Sequence, residues 1–389
     1  MMHILILPSW YPETPTDLNG IFFRQQAQAL QRSGLKIGVL APQFRSLRGQ
    51  PASLFSLNYG QKQYTEAHIP TYTYRSMDFF PRVPFIDRAR WLRAGKTLWQ
   101  RYLAQHGTPD VIHAHCVNYA GILAHHLHQQ TGIPYVITEH SSTYARGLIR
   151  PWQQAAMQPA VTHAAVRLAV SRHFCTLLEQ FYPHSTWDYL PNMLSPLFNA
   201  PFTPPPHKPS SPFIFCSVAH LNANKGFDDL LRAFAQLRHT YPPCELHIGG
   251  TGAMLAPLQQ LATELQLGDT VRFLGALAPE AVRDLMRRSH AFVLASRVET
   301  FGIVWIEALS QGLPVVATRC GGAESIVQAD NGLLVPVNDI NALAHAMKHM
   351  FEQASHYAPQ VLRQNCLAEF GETALIAQLH QYYQQAIST

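Results

Sequence analysis

Two glutamates, Glu299 and Glu307, stand eight residues apart in "SRVETFGIVWIEALSQGLPVVATRCGG" (296–322), with a Phe301-Gly302 step between them. Carboxylates so placed could be a general acid and base, metal ligands, or two unrelated surface residues. The surrounding pattern narrows the choice. "AFVLAS" (291–296) reads as a buried strand, and "GIVWIEALSQG" (302–312) as a helix closed by Gly312. Glu299 then falls in the loop beyond the strand's carboxyl end, Gly302 opens the helix, and Glu307 lies within its first two turns. The first N–H groups of a helix have no intrahelical acceptor and favour an anion. Carboxylates accept hydrogen bonds from neutral diols, so a phosphate-seeking helix end beside two carboxylates suits a nucleotide sugar. One carboxylate would hold the ribose hydroxyls, the other the sugar to be transferred.

The elements that must position these groups repeat along the chain. In the first half "HILIL", "KIGVL", "DVIHAH", "PYVITEH" and "VRLAVS" read as parallel strands separated by helix-length segments. The second half repeats the rhythm with "FIFCSV", "CELHIGG", "VRFLG", "AFVLAS" and "PVVAT". Strands alternating with helices predict an α/β fold of two Rossmann-like, doubly wound parallel-sheet domains. The expected division is 1–195 for the first domain, 196–212 for a linker containing the proline-rich "APFTPPPHKPSSP", and 213–370 for the second domain. Residues 371–389 form a last helix, expected to cross back to the first domain. Facing each other, two such sheets would make a cleft at their carboxyl ends, where ligands of such sheets bind. A transferase, an epimerase, a dehydrogenase and a binding protein all fit that architecture.

More of the pattern lies in the second half. "SVAHLNANKGFDDLLRAF" (217–234) reads as strand, loop, Lys225-Gly226 and helix, placing Lys225 over a strand end as a phosphate partner. "GLPVVATRCGGAESIVQADNGLLVPVND" (312–339) adds a strand, a Gly-Gly turn and Glu324. With these stretches in this order the chain resembles the retaining glycosyltransferases of family 4, which have the GT-B fold. The resemblance covers essentially the whole chain and is strongest over 217–339. It implies that Glu307 binds ribose hydroxyls and that Glu299 contacts the transferred sugar. It also implies that the N–H groups near Phe301, Gly302 and Ile303 meet sugar and diphosphate, and that Lys225 neutralises the diphosphate. One departure stands out: the family usually has Arg five residues before that Lys, and here the residue is His220. Either another base, such as Arg297, takes over, or His220 is protonated beside the diphosphate.

In the first half Gly20 lies near a helix start, where the resemblance places a glycine loop against diphosphate and acceptor. "DVIHAHCVNYAG" carries His113, His115 and Asn118, and "PYVITEHSSTY" carries Glu139 and His140. The chain has 21 histidines, so most are structural. No HExxH, DxD or Cys/His cluster predicts a metal site. The resemblance singles out His140 as the histidine at the sugar–acceptor junction, with Ser171 and Asn192 near the cleft.

Composition bounds the function. The six cysteines are scattered without a CxxC pair, which suits a reducing compartment. The opening "MMHILILPSWYP" reads as a first strand rather than a signal peptide, and no window reaches the length of a membrane span. A cytoplasmic protein is expected. Residues 1–195 hold 17 Lys+Arg against 9 Asp+Glu, whereas residues 196–389 hold 12 against 15. The basic excess peaks at 81–103, where Arg82, Arg88, Arg90, Arg93, Lys96 and Arg101 alternate with Trp91, Leu92, Leu98 and Trp99. That segment is either an ordinary surface helix or a surface drawn to anionic lipid or a polyanionic glycan, on the inner face of the cytoplasmic membrane. No nucleic-acid motif accompanies the charge. Neither first strand is followed by GxGxxG, which removes hydride transfer. Three readings stay open: a transferase, a nucleotide-sugar epimerase or glycan hydrolase, and a non-catalytic glycan- or nucleotide-sugar-binding protein. The first predicts transfer of a hexose-type sugar from a UDP- or GDP-sugar to a glycan or lipid-linked acceptor, with no metal or other cofactor.

Overall fold

A strand buried on both faces has no polar side to show, and "HILILP" is such a strand: all six residues of His3–Pro8 are buried. It lies near the middle of an eight-stranded sheet in the computed structural model. The structure describes every residue except 15–16, 18, 47–58, 80–83, 203, 205–211, 242 and 389. By contact the chain divides into two units, one of 1–170, 175–190 and 376–389, the other of 171–174 and 191–375. The last helix, Glu372–Ser388, therefore lies within the first unit from Ile376 onward. Most of the proline-rich segment falls outside the described residues.

The sheet of the first unit runs, edge to edge, Gly60–Glu66, Ile69–Asp78, Lys36–Ser46, His3–Pro8, Val111–His115, Tyr135–Glu139, Val166–Ala169 and Asp188–Tyr189. All neighbours are parallel except the first pair, an antiparallel hairpin at the edge. The sequence reading did not assign these two edge strands; the rest of the sheet is parallel as expected. The chain leaves His3–Pro8 toward one edge and Val111–His115 toward the other, so the order reverses between these two strands.

Helix Pro84–His106 covers this sheet and contains most of the basic segment. Most of its large apolar side chains face inward: Trp91, Leu98, Trp99 and Tyr102 are buried, and the Trp91 indole donates to the Pro42 carbonyl at 3.0 Å, while Phe85 in the first turn stays exposed. Arg90 also turns back, to Asp87 and the Met77 carbonyl, both at 2.8 Å, and to Ser76 at 2.9 Å. The alternation of arginine and aromatic residues is thus the inside–outside pattern of a packed helix. Arg82 lies outside the described residues.

The second unit holds six parallel strands in the order Val271–Phe273, Cys244–Gly249, Phe213–Val218, Ala291–Leu294, Val315–Thr318 and Gly332–Val335. Here too the first and fourth strands in sequence, Phe213–Val218 and Ala291–Leu294, are neighbours whose connections lead to opposite edges. The carboxyl ends of strands at such a reversal are where ligands of open parallel sheets bind. Among the described residues no helix is long and apolar enough to cross a membrane.

Candidate active site

In the second unit the two loops at this reversal are pressed together. After Phe213–Val218 the chain passes His220, which is exposed. The Asn222 side chain accepts from the Asn224 N–H at 3.0 Å, and a single 3-10 turn, Ala223–Lys225, leads to helix Phe227–Thr240. Gly226, at φ 62°, begins that helix, and a Cβ there would run into the Ala295 carbonyl oxygen of the other loop. The second loop is held to the turn by Arg297, whose N–H donates to the Asn224 carbonyl at 2.7 Å. Its guanidinium reaches Asp228 at 2.9 Å, Asp229 at 2.6 Å, the Ala223 carbonyl at 2.6 Å and Asn338 at 2.9 Å. Four of the five guanidinium N–H donors of Arg297 are thus engaged within the unit, which makes it a brace between the two loops.

That brace brings Lys225 and Glu299 into a direct ion pair across the two loops. Glu299 is anchored behind by its N–H, which donates to the Cys320 carbonyl at 3.0 Å. Glu324 accepts from the Gly321 N–H at 2.9 Å and fixes the Gly-Gly turn. Helix Ile303–Ser310 starts at Gly302, φ 97°, where a Cβ would strike the Trp305 ring. Phe301 is 2% exposed and packs edge-on to Phe370, leaving only its backbone for a ligand. Glu307 is half-buried one turn into the helix, and burial pushes its carboxyl up to about 7.

The reversal in the first unit has another chemistry. His113 is fully buried between the Tyr383 hydroxyl at 2.7 Å and Thr138 Oγ1 at 2.8 Å, and burial lowers it to about 3. His115 Nδ1 lies 3.1 Å from His140 Nε2; burial, then the neighbouring His113 and His140, push His115 well down. His113 and His115 are therefore uncharged at neutral pH. His140 packs against the rings of Phe22 and Phe23, at 5.3 and 5.1 Å. Those two belong to helix Ile21–Arg32, which begins at Gly20, so Gly20 and His140 come together through it.

Glu139 accepts from the N–H groups of Val117 at 2.8 Å, His140 at 2.9 Å and Ser141 at 2.8 Å. Burial raises its carboxyl while these N–H groups oppose the rise. The turn it holds is strained. Cys116 sits at φ 73°, ψ 142° and Tyr119 at φ 65°, ψ −74°, conformations that side-chain-bearing residues rarely adopt. Beside the turn is a cavity of about 210 Å³ whose lining includes Ser9, Trp10, Asn118, Ser141, Thr143 and Tyr144. Hydroxyls and an amide among aromatic rings can hydrogen-bond and stack against a sugar.

Two family models match. That of the glycosyl transferases group 1 covers residues 202–365, and that of the glycosyl transferase 4-like domain covers residues 20–193. A Bacillus subtilis (strain 168) protein assigned to teichuronic acid biosynthesis as glycosyltransferase TuaC is 29% identical over 419 aligned positions, the whole of both chains. The chain belongs with the glycosyltransferases. Solved structures agree on its architecture. Sucrose-phosphate synthase from Thermosynechococcus elongatus matches 99% of both chains with a TM-score of 0.78 at 22% identity. Anabaena Alr3699/HepE, solved in complex with UDP, matches 98% of this chain and 100% of its own with a TM-score of 0.73 at 19% identity. The fold is GT-B.

Within this glycosyltransferase the structure groups Lys225, Glu299, Gly302, Ile303 and Glu307 around one reversal, and His113, His115, Asn118, Glu139 and His140 around the other. Ser171, expected on the acceptor side, is buried in the second unit, its hydroxyl 3.3 Å from the Gly321 carbonyl. Asn192 also falls in the second unit. The sequence reading missed the cavity residues Ser9, Trp10, Ser141, Thr143 and Tyr144. A usable signal was present, since "SW" and "SSTY" directly follow strand ends at a reversal of strand order. It also missed that Asp228 and Asp229 hold Arg297, because acids in a first helical turn look like ordinary dipole partners.

Proposed function

We propose that this glycosyltransferase moves a hexose-type sugar, with retention of anomeric configuration, from a UDP- or GDP-sugar to a hydroxyl of a glycan or lipid-linked acceptor. The setting is cell-surface polysaccharide or glycolipid synthesis at the inner face of the cytoplasmic membrane. The observation that carries the proposal is the meeting of Lys225 and Glu299 from opposite sides of the second unit's reversal, beside the N-terminus of Ile303–Ser310. A cation, a helix end and two carboxylates suit diphosphate, sugar and ribose in that order. The name of the Bacillus relative and the UDP held by the Anabaena protein support the same class of donor and product.

On this reading the bond between the sugar's anomeric carbon and the diphosphate oxygen breaks as the acceptor oxygen bonds to that carbon. The acceptor's proton passes to the departing diphosphate on the same face. Lys225 and the N–H groups at Gly302 and Ile303 stabilise the charge that develops on the diphosphate. Glu299 is then handed from Lys225 to the sugar hydroxyls, so donor binding exchanges one ion pair for another. With these groups supplying the positive charge, transfer needs no divalent cation. The first unit supplies the acceptor side, with Asn118 and Thr143 as hydrogen-bonding partners in the cavity and His140 beside it.

The test is a thermal-shift and hydrolysis screen over UDP-, GDP- and ADP-sugars in excess EDTA. One nucleotide should raise the Tm by several degrees and its sugar should be slowly hydrolysed. No shift with any nucleotide would leave a non-catalytic glycan-binding protein. A shift or turnover that appears only with Mg²⁺ or Mn²⁺ would overturn the role of Lys225.

A further inference from the structure

Eight large apolar side chains are exposed among the described residues, and three of them, Phe85, Leu148 and Trp152, stand on two segments of the first unit that an arginine–tryptophan contact ties together. They are 59%, 48% and 44% exposed. Phe85 is in the first turn of Pro84–His106, and Trp152 in the first turn of Pro151–Thr162. The two helices are joined by Arg88, whose guanidinium carbon lies 5.7 Å from the centre of the Trp152 ring. Leu148 stands four residues before Trp152 in the connecting loop, and it also lines the cavity beside the strained turn. It is thus both the cavity's rim and part of the exposed patch.

The exposed charges on these two segments have one sign. Arg146 and Arg150 are exposed on either side of Leu148, and Arg93 is exposed on the helix of Phe85. Residues 140–178 contain no Asp or Glu at all. The helix Pro84–His106 has one, Asp87, which is buried and paired with Arg90. Scattered exposed apolar residues are ordinary, but exposed aromatic and aliphatic side chains accompanied by exposed arginines, with no exposed acid on the same segments and a cavity lined by one of them, are not. A hydrated polyanion could satisfy the arginines but offers no apolar phase to Phe85, Leu148 and Trp152. An anionic bilayer satisfies both, since Trp settles at the headgroup level and arginine meets lipid phosphate.

We infer that Phe85, Leu148 and Trp152, with Arg88, Arg146 and Arg150, form the surface by which this protein rests on an anionic phospholipid bilayer, with the cavity opening at its edge. This rests on the reading of that cavity as the acceptor site and names its substrate class. A sugar carried on a lipid anchor would enter the cavity past Leu148 while its anchor stays in the membrane. The attachment surface is therefore not the outward stripe of the 81–103 segment as a whole but its N-terminal turn together with the 146–152 loop and helix start.

Co-sedimentation of the whole protein with vesicles tests it. Vesicles of phosphatidylcholine containing about one-third phosphatidylglycerol should bind at least about tenfold more protein at low salt than phosphatidylcholine alone, and added salt should release it. The double variant Phe85→Ser/Trp152→Ser should lose about tenfold of that binding. Arg93→Gln/Lys96→Gln, on the outward stripe of the same helix, should lose less than threefold. Equal binding to both kinds of vesicle, no binding, or an unimpaired double variant would overturn the inference. So would retention on an immobilised soluble polyanion with none on vesicles. Nucleoside diphosphate affinity, measured on the same samples, separates the outcomes. If it persists while vesicle binding fails, only the membrane surface falls, whereas its absence in wild type removes the glycosyl-transfer reading itself. A circular-dichroism spectrum and melt matching wild type show that the double variant is folded in both units.

Discussion

The two sheets reverse their strand order in the same way, yet they surround the reversal with opposite chemistry. In the second unit the loops carry charge that the protein leaves within reach of a ligand. Lys225 and Glu299 satisfy each other, and the carboxyl of Glu307 has no hydrogen bond among the described residues. In the first unit the corresponding carboxylate, Glu139, is spent on three backbone N–H groups, and two of the histidines beneath it are neutral. A scaffold alone does not make a binding site. The difference lies in whether a side chain's hydrogen-bonding capacity is consumed by its own loops or left over.

The sharpest way to break this comparison is to remove both carboxylates separately. Glu307→Ala should weaken nucleoside diphosphate binding by about 2–4 kcal/mol, the worth of two hydrogen bonds to a charged acceptor, with Tm little changed. Glu139→Ala should do the reverse. It strands buried N–H groups and should cost roughly 1–3 kcal/mol of stability with nucleotide affinity retained. Calorimetry and thermal melts on the two variants read both effects. A Glu139 variant that melts normally but loses the nucleotide would place the donor carboxylate in the wrong unit.

The second unit was the more legible of the two. Lys225, Gly302 and Glu307 are local features of strand–loop–helix units, and short segments of sequence reveal them. The family resemblance then supplied their roles. What stayed hidden depends on distance or on unusual backbone. The edge hairpin Gly60–Glu66/Ile69–Asp78 turns through Ala67 and His68 at φ 48° and 65°. A two-residue turn with both φ positive is usually written Asn-Gly or Asp-Gly, so "AH" gives no warning. Its polar outer strand, "GQKQYTE", lacks the apolar run of a central strand. The strain at Cys116 and Tyr119 likewise leaves no mark in "HCVNYAG", because neither is a glycine. The attachment of Arg297 to acids 68 and 69 residues away needs the fold to bring them together.

Arg297 offers a smaller test of the same contrast. If it braces the Lys225 turn rather than touching the diphosphate, Arg297→Lys should fail to replace it, since an ammonium cannot span Asp228, Asp229, Asn338 and the Ala223 carbonyl together. Nucleoside diphosphate affinity should fall about tenfold, roughly 1.4 kcal/mol, while affinity for the nucleoside alone stays constant. The Tm should drop by a few degrees. A direct ligand would behave otherwise: lysine would restore much of the diphosphate affinity without altering stability.

The smallest effect is a pH dependence that separates binding from folding at Glu307. Its carboxyl is pushed up to about 7 by burial, above the ordinary value for glutamate of about 4.3. In the window between those values the folded protein holds a proton that the unfolded chain has released. Folding stability from this group is therefore greatest at the acid end and declines as pH rises toward 7. Donor binding has the opposite sign. Ribose hydroxyls donate best to the carboxylate, so the nucleotide favours the form that has lost the proton. Raising the pH from 6.5 to 7.5 increases the ionised fraction roughly threefold for a group titrating near 7, and affinity should rise by the same factor. Calorimetry in two buffers of different ionisation enthalpy should detect a proton released on binding near pH 6.5. Glu307→Gln should flatten both the affinity profile and this proton release while keeping the side chain's shape. The neutral histidines of the first unit contribute nothing in this range, because burial keeps His113 and His115 far below it. A profile that stays sloped in Glu307→Gln would move the titrating group elsewhere.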